Sequence, residues 1–131
     1  MEKEIILDDF TFLVSETDEK GIIIFANDDF CKLAEYSVDE LIGKPHNIIR
    51  HKDMPKAAFK DLWDTVKKDQ VWSGYVKNAT KSGNYYWVFA TVFPTVTSDG
   101  RKGYLSCRRK ATIEEINEHI PIYKELVAQE K

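Results

Sequence analysis

Residues 43–59 read GKPHNIIRHKDMPKAAF, and this stretch separates two differently patterned halves of the chain. From residue 44 to residue 56 it places two histidines, an arginine, an aspartate and three lysines in a predicted loop. Pro55 suits the first position of a helix, and apolar residues follow it at spacings of three and four. These apolar residues are Phe59, Leu62, Trp63 and Val66. The pattern predicts a polar loop followed by an amphipathic helix of about three turns.

Upstream of this stretch, the sequence predicts a β-hairpin and two short helices. Residues 10–15 and 21–26 are rich in β-branched and aromatic side chains, and a polar turn separates them. Asn27 stands where the N-cap of the first helix is expected. Residues 37–40, Ser-Val-Asp-Glu, form a capping box for the second helix, which Gly43 is expected to end.

Downstream, extended runs are predicted at residues 71–80, 85–95 and 103–109, with glycine-containing turns between them. The order of two strands, helices and three strands predicts an α+β fold built on a five-stranded antiparallel sheet. The helices inserted between strands 2 and 3 are expected to cover one face of that sheet. A C-terminal helix should follow from Thr112, with a kink or break near Ile120 because Pro121 cannot donate a backbone hydrogen bond.

The chain has 131 residues and a mass of 15.2 kDa, which predicts one domain with a single core. We expect this domain at residues 10–111, an N-terminal cap segment at 1–9 and a C-terminal helical connector or signalling helix at 112–131. The net charge of −3 hides an uneven distribution, because residues 1–40 carry 12 acids and 3 bases whereas residues 41–110 carry 5 acids and 14 bases. This asymmetry indicates an anionic partner or pairing between the two regions.

Several classes of protein are disfavoured by the sequence. No apolar run approaches the roughly 18 residues that span a bilayer, and the start lacks the pattern of a secretory signal. We therefore expect a cytoplasmic domain that does not insert into a membrane. There is no G-x-S-x-G motif, no Gly-rich phosphate loop and no cysteine placed with a histidine and a carboxylate, so no enzymatic activity is expected. The aromatic residues fit helix and strand faces, so no nucleic-acid partner is expected despite the basic middle region.

Two groups of residues are candidates for ligand contacts. In the polar loop, the Arg50 guanidinium can offer a planar set of donors to a phosphate, and the alternative is a solvated loop in which Asp53 pairs with a neighbouring base. On the strand at 71–80, side-chain alternation places Trp72 and Asn78 on one face, where they can contact a planar ring and its polar rim. The alternative is that Trp72 belongs to the core and Asn78 begins a turn.

Three stretches carry a resemblance to a known family. They are Asn27-Asp28-Asp29-Phe30, the run at 43–59, and Trp72-Ser73-Gly74 with Val76-Lys77-Asn78. Together with the order of the elements, they resemble PAS sensor domains and, more narrowly, the FAD-binding PAS domains of bacterial aerotaxis receptors. The resemblance covers residues 10–112, nearly the whole chain.

The resemblance implies the PAS fold and a non-covalently bound FAD whose redox state reports on respiration or oxygen. It implies a redox, oxygen or energy-taxis sensor that signals by protein–protein contacts to a chemoreceptor signalling domain or another PAS or output module, with a possible homodimer. No metal is implied. The cofactor-binding residues carried over by position are Asn27, Arg50, His51, Asp53, Phe59, Trp72 and Asn78. Within this assignment, Arg50 with His51 is expected to bind the phosphate-bearing part of FAD.

Some features of the sequence leave more than one identity for the ligand. The family usually continues after Asn78 with two basic residues, where this chain has Ala79 and Thr80. Haem or a small metabolite in the same pocket is one alternative, with His46 or His51 as a candidate iron ligand. A ligand-free module for interaction or dimerisation is another. The remaining basic residues, including Arg101, Lys102, Arg108, Arg109 and Lys110, are expected on the exposed surface.

Overall fold

The computed structural model describes residues 2–130, and its centre is a five-stranded antiparallel sheet. The strands are β1 (Phe12–Asp18), β2 (Ile23–Ala26), β3 (Trp72–Ala79), β4 (Tyr85–Val96) and β5 (Lys102–Lys110). Their spatial order is β2-β1-β5-β4-β3, so both halves of the chain meet where β1 pairs with β5. The predicted fold class, with its five antiparallel strands, is confirmed.

The helices before β3 cover one face of the sheet, as predicted. They are α1 (Asp28–Ala34), α2 (Val38–Leu41), a 3₁₀ turn (His46–Ile49) and α3 (Lys56–Val66). Strand side chains alternate between this covered face and the opposite, outer face; along β1, for example, Leu13, Ser15 and Thr17 are buried. The core lies between the covered face and the helices, and it includes Phe30 and Tyr86 at 0% exposure.

The predicted helix starts at Asn27 and Ser37 are confirmed. The Asn27 side-chain oxygen accepts hydrogen bonds from the Phe30 and Val14 amides, and its NH₂ donates to the Phe12 carbonyl. Asn27 therefore caps α1 and ties it to β1 at the same time. At Ser37 both hydrogen bonds of the capping box are present.

The C-terminal helix α4 (Ile113–Gln129) runs through Pro121 as one helix, so a break there, one of the two predicted alternatives, is wrong. Contacts on the far side of the proline hold it to the outer face of the sheet. The Tyr123 hydroxyl donates to the Tyr75 carbonyl at 2.6 Å, and the Tyr123 ring stacks on Trp87 with 6.0 Å between centroids. This packing offsets the backbone hydrogen bond that the proline removes. The helices found in residues 2–130 are too short or too polar to serve as membrane spans.

The far end of α4 reaches the helices on the covered face. The Glu130 carboxylate accepts hydrogen bonds from the Lys56 and Ala57 amides, each at 2.9 Å. These amides lie in the first turn of α3, whose N-cap residue, Pro55, provides no side-chain hydrogen bond. A residue 74 positions away in the sequence thus supplies the missing cap.

Candidate ligand-binding cavity

A cavity of about 530 Å³ lies between the covered face of the sheet and the segment from the 3₁₀ turn to α3. This volume is within the range of small-molecule sites, roughly 300–1,000 Å³. Most of its wall is apolar, with contributions from the sheet, the 3₁₀ turn and α3. The apolar lining includes Ile49, Phe59, Leu62, Trp63, Val76, Ala90 and Val92. Such walls suit the faces of a planar, largely apolar ring.

The deep end of the cavity holds a buried cation, Arg108, which is 2% exposed. Its guanidinium donates to the hydroxyls of Ser15 at 2.8 Å and Ser106 at 3.1 Å, and it lies 4.4 Å above the ring of Phe30. Burial lowers the pKa of Arg108 to about 10, so it remains charged at neutral pH. No residue within 2–130 forms an ion pair with it, and its Nε has no hydrogen-bond partner there. Arg108 was expected on the exposed surface, and that prediction is wrong.

His46 lies beside this cation and is uncharged. Its Nε2 is 2.9 Å from the Ser15 hydroxyl and 3.2 Å from the Arg108 guanidinium. Burial and then the positive charge of Arg108 lower the pKa of His46 to about 3. In a neutral imidazole, an unprotonated Nε2 has one lone pair and can accept a hydrogen bond from either of these donors. The group of Ser15, His46, Ser106 and Arg108 therefore carries one positive charge and no negative charge.

Another polar atom on the cavity wall also lacks a partner. The Thr17 hydroxyl is buried and makes no hydrogen bond within residues 2–130, whereas the buried Tyr86 hydroxyl lies beside Asn78 and outside the cavity lining. Burial raises the pKa of Tyr86 to about 12. Asn78, the cross-strand neighbour of Tyr86, is 3% exposed and lines the cavity. Because a buried polar group without a partner costs about 1–3 kcal/mol, the Thr17 hydroxyl and the Arg108 Nε indicate a site that takes a polar ligand.

The mouth of the cavity is basic. Lys20 in the β1–β2 turn, Arg50 after the 3₁₀ turn and Lys67 at the end of α3 all line it, and Glu19 is the one acidic residue in the lining. The Arg50 guanidinium lies 3.8 Å above the centre of the Phe59 ring, which fixes its position by a cation–π contact. The cavity thus has cations at both ends and apolar walls between them.

Three of the seven predicted site residues line this cavity, namely Arg50, Phe59 and Asn78. The other four lie outside its lining. Asn27 is occupied as the cap of α1. Trp72 is 8% exposed, and its indole N–H donates to the Asp61 carboxylate at 2.9 Å, which ties β3 to α3. The Trp72 ring covers Gly74 so closely that a Cβ there would come within 2.7 Å of it.

The predicted site residues His51 and Asp53 lie at the edge of the sheet. His51 is 3% exposed; its Nδ1 accepts from the Asp53 amide at 3.0 Å, and its Nε2 is 2.9 Å from the Glu2 carboxylate. Asp53 pairs with Lys77 at 2.9 Å, the alternative that the sequence left open. Glu2 and Asp53 face opposite nitrogens of one ring, so a single metal ion could not bind all three residues in this arrangement.

Sequence reasoning missed the residues at the two ends of the cavity, which are Ser15, Lys20, Lys67, Ser106 and Arg108. A signal for Ser106 and Arg108 exists in the alternation along β5, which places them with Tyr104 on one face. That signal is ambiguous, because the opposite face carries Leu105 and Cys107, which a core would also accept. His46 lies within residues 43–59, where the sequence suggests a role for it only as an iron ligand.

Comparison with known proteins identifies the family. The sequence model of the PAS fold matches residues 23–108. The aerotaxis receptor of Escherichia coli K12 is 50% identical over 122 residues, which cover 93% of this chain and 24% of the receptor. The nitrogen fixation regulatory protein of Klebsiella oxytoca is 27% identical over 101 residues, which cover 76% of this chain and 20% of the regulator. The chain therefore spans about a quarter or less of the length of these curated relatives.

A solved structure has the same architecture. The PAS domain of a protein from Colwellia psychrerythraea aligns with a TM-score of 0.68 at 24% sequence identity, covering 79% of this chain and 90% of that one. The resemblance that the sequence motifs indicate agrees with the matched family, with the strand order and with the position of the helices. The chain belongs to the PAS fold family.

Proposed function

We propose that this PAS domain binds FAD non-covalently in the cavity and acts as a redox sensor that signals to a chemotaxis-type output. The observation that carries the proposal is Arg108, a buried cation at the end of an apolar cavity with no anionic partner within residues 2–130. A buried charge without a partner is costly, so a ligand that brings negative charge or carbonyl oxygens to it is favoured. The 50% identity to an aerotaxis receptor also supports a sensory role.

The residues of the cavity fit a flavin. Its walls can pack against both faces of a three-ring system, and the NH₂ and carbonyl of Asn78 can pair with a rim that has donors and acceptors. Arg108 and Ser106 supply donors at the deep end, where carbonyl oxygens would be stabilised. When bound, the flavin supplies reversible uptake of electrons and protons. These side chains supply orientation, exclusion of water and a positive field.

A route from the cavity to the outer face runs through β3. Asn78 can offer either its carbonyl or its NH₂, so a changed pattern at the ligand rim would favour re-pairing of its amide. On the opposite face of the same strand, Tyr75 donates to Glu115 and accepts from Tyr123, both in α4. A shift of β3 would therefore change how α4 meets an output module. No substrate is turned over in this proposal, which assigns the domain to the cytoplasm.

The absorption spectrum tests the proposal. Purified protein is incubated with FAD, passed through a desalting column and scanned for flavin bands. We expect the wild-type domain to retain FAD, and Arg108→Met to retain at least about tenfold less. Arg109→Met is the matched control, because Arg109 is the exposed neighbour on the outer face. A wild-type domain that stays colourless overturns the proposal, and haem bands would support the haem alternative instead.

A haem ligand has less support from the side chains. The Nε2 of His46 is engaged by Ser15 and Arg108, and the Nε2 of His51 faces Glu2 outside the cavity lining. Neither nitrogen is directed to an apolar site as an axial ligand. The same spectrum separates flavin, haem and a ligand-free interaction module in one measurement.

A further inference from the structure

The guanidinium of Arg108 has more hydrogen-bond donors than the chain satisfies. An arginine carries five N–H donors and no acceptor. Three acceptors are in contact with it, namely the Ser15 hydroxyl at 2.8 Å, the Ser106 hydroxyl at 3.1 Å and the His46 Nε2 at 3.2 Å. Two N–H groups, one of them at Nε, therefore have no acceptor within residues 2–130. Because the side chain is 2% exposed, bulk water has little access to it.

The groups that contact Arg108 are uncharged. Ser15 and Ser106 contribute hydroxyls, and Phe30 contributes the face of its ring, 4.4 Å from the guanidinium carbon. Burial and the charge of Arg108 hold the pKa of His46 at about 3, so the imidazole is neutral at pH 7. The ion pairs among residues 2–130 all involve other cations. One positive charge is thus buried without an opposite charge, and an anion beside it would be strongly favoured.

The cavity gives a small anion a way to this charge. Arg108 lines the deep end together with Thr17, whose buried hydroxyl makes no hydrogen bond in the described part of the chain. Glu19 is the one acidic residue in the lining, against four cations. The other three cations are Lys20, Arg50 and Lys67. The field of the cavity therefore favours an anion over a cation.

We propose that the flavin-free domain binds a small monovalent anion, with chloride as the probe, at the guanidinium of Arg108. A single negative charge balances the single positive charge, whereas a divalent anion would leave one charge buried without compensation. The site goes beyond the proposed function, because it requires no flavin. If a flavin places its carbonyl oxygens at the same N–H donors, the two ligands compete.

Thermal unfolding of the flavin-free domain in sodium chloride and in sodium fluoride tests the proposal. The two salts are compared at equal concentration, so ionic strength is matched, and fluoride holds its hydration shell more strongly than chloride does. For wild type, we expect chloride at about ten times its Kd to raise the thermal midpoint by about 5 °C more than fluoride. Arg108→Met should remove this difference. Arg109→Met, which removes the same charge from the outer face, should keep it.

Equal midpoints of the wild-type domain in the two salts would overturn the anion site, and so would an undiminished chloride effect in Arg108→Met. A second measurement needs no variant. Chloride should raise the apparent Kd of FAD for wild type about tenfold over its value in fluoride, at the same ten times Kd. An equal Kd of FAD in both salts would mean that chloride does not bind at Arg108, and the proposal fails. If the domain binds no flavin, the proposed function fails alone, because the midpoints in the two salts still decide the anion site.

Discussion

Arg108 is a residue whose burial costs stability and which, in the proposed function, contributes to ligand binding. Its guanidinium is almost fully buried among neutral partners, and its Nε makes no hydrogen bond within residues 2–130. Desolvating a charge costs several kcal/mol unless an opposite charge compensates, and two serine hydroxyls compensate only in part. In a PAS domain, such a side chain is better explained by the ligand than by the fold.

Replacing Arg108 with methionine should therefore move stability and binding in opposite directions. Without ligand, we expect the free energy of unfolding to stay the same or to rise by up to about 2 kcal/mol, because an uncompensated charge is removed. FAD retention should fall. Urea unfolding of the ligand-free proteins measures the first effect, with Arg109→Met as the control. A loss of more than about 2 kcal/mol would mean that Arg108 mainly stabilises the fold.

His46 predicts a specific pH dependence. Its pKa is about 3 in the folded domain, depressed by burial and by Arg108, whereas an unfolded histidine titrates near 6.5. Between pH 3 and pH 6.5 the unfolded chain binds more protons than the folded domain does. The contribution of His46 to the free energy of unfolding is therefore fully present above about pH 6.5 and is lost as the pH falls. The expected slope is about 1.4 kcal/mol per pH unit for one proton.

The window from about pH 5 to 6.5 excludes the carboxyl groups with lowered pKa values, such as Glu40 and Asp53, which titrate below it even when unfolded. The His46→Gln variant separates the His46 contribution from that of the other two histidines. Urea unfolding at several pH values measures the slope for wild type and for His46→Gln. In this window, the free energy of unfolding of the variant should depend on pH less steeply than that of wild type, because the His46 contribution is gone. An identical slope in both proteins would show that His46 is not the group responsible.

At the scale of elements, helix α4 links two distant parts of the domain. One end packs on the outer face of the sheet through Tyr75 and Trp87, and the other caps α3 through Glu130. Because α3 also lines the cavity, α4 is positioned to respond to a change on either side of the sheet. The Lys56 and Ala57 amides hold the pKa of Glu130 below its usual value, as expected for a carboxylate that accepts two backbone hydrogen bonds.

Substituting Glu130 with glutamine should loosen the start of α3. We expect a fall of a few degrees in the thermal midpoint and faster amide hydrogen exchange at residues 56–59, because the negatively charged cap is lost. Glu125→Gln is the matched control, since it removes the same charge from α4 without contacting α3. Unchanged exchange at 56–59 would contradict a capping role for Glu130.

The elements themselves could largely be predicted, and the reasons differ from one to the next. The starts of α1 and α2 follow from local hydrogen bonds at Asn27 and Ser37, which the sequence encodes directly. The continuity of α4 through Pro121 depends on contacts with Tyr75 and Trp87, which are distant in sequence. Local propensity does not contain such contacts.

The candidate site was harder to predict than the elements. Motif resemblance led to Arg50, Phe59 and Asn78, which line the cavity, because their place in the motif fixes their place in the fold. The resemblance could not show that Arg108 points toward the cavity. Arg108 and Arg109 lie on opposite faces of β5, and the register between β5 and β1 decides which of them faces the cavity. The roles of Asn27, His51, Asp53 and Trp72 towards a cofactor stay predictions.

For the whole molecule, the uneven charge seen in the sequence is partly balanced within the fold. Lys81 pairs with Glu40 at 2.5 Å, and Lys110 pairs with Asp9 at 3.5 Å, so two ion pairs join the acidic first region to the basic middle. Exposed pairs of this kind contribute little stability each. The cations that line the cavity form no ion pair within residues 2–130. They are Lys20, Arg50, Lys67 and Arg108.

Ligand binding should therefore stabilise the domain as a unit. With FAD at 100 times its Kd, the expected gain is about 2.7 kcal/mol, or a rise of roughly 10 °C in the thermal midpoint for a domain of this size. Differential scanning calorimetry with and without FAD measures the shift, and riboflavin at equal concentration should give a smaller one. No shift in the presence of retained FAD would mean that the flavin also binds the unfolded chain.

The two edges of the sheet have a consequence for self-association by strand addition. At one edge, β2 has only four residues, and its pairing with β1 shifts register between Glu16 and Thr17. At the other edge, the Lys77 amide donates to the Met54 sulfur, and Arg50 forms a β-bridge with Asn78. A short, irregular edge and a covered edge are poor templates for a strand from another molecule. The domain is thereby protected from amyloid-like growth, even when its cavity is empty and its stability is lowest.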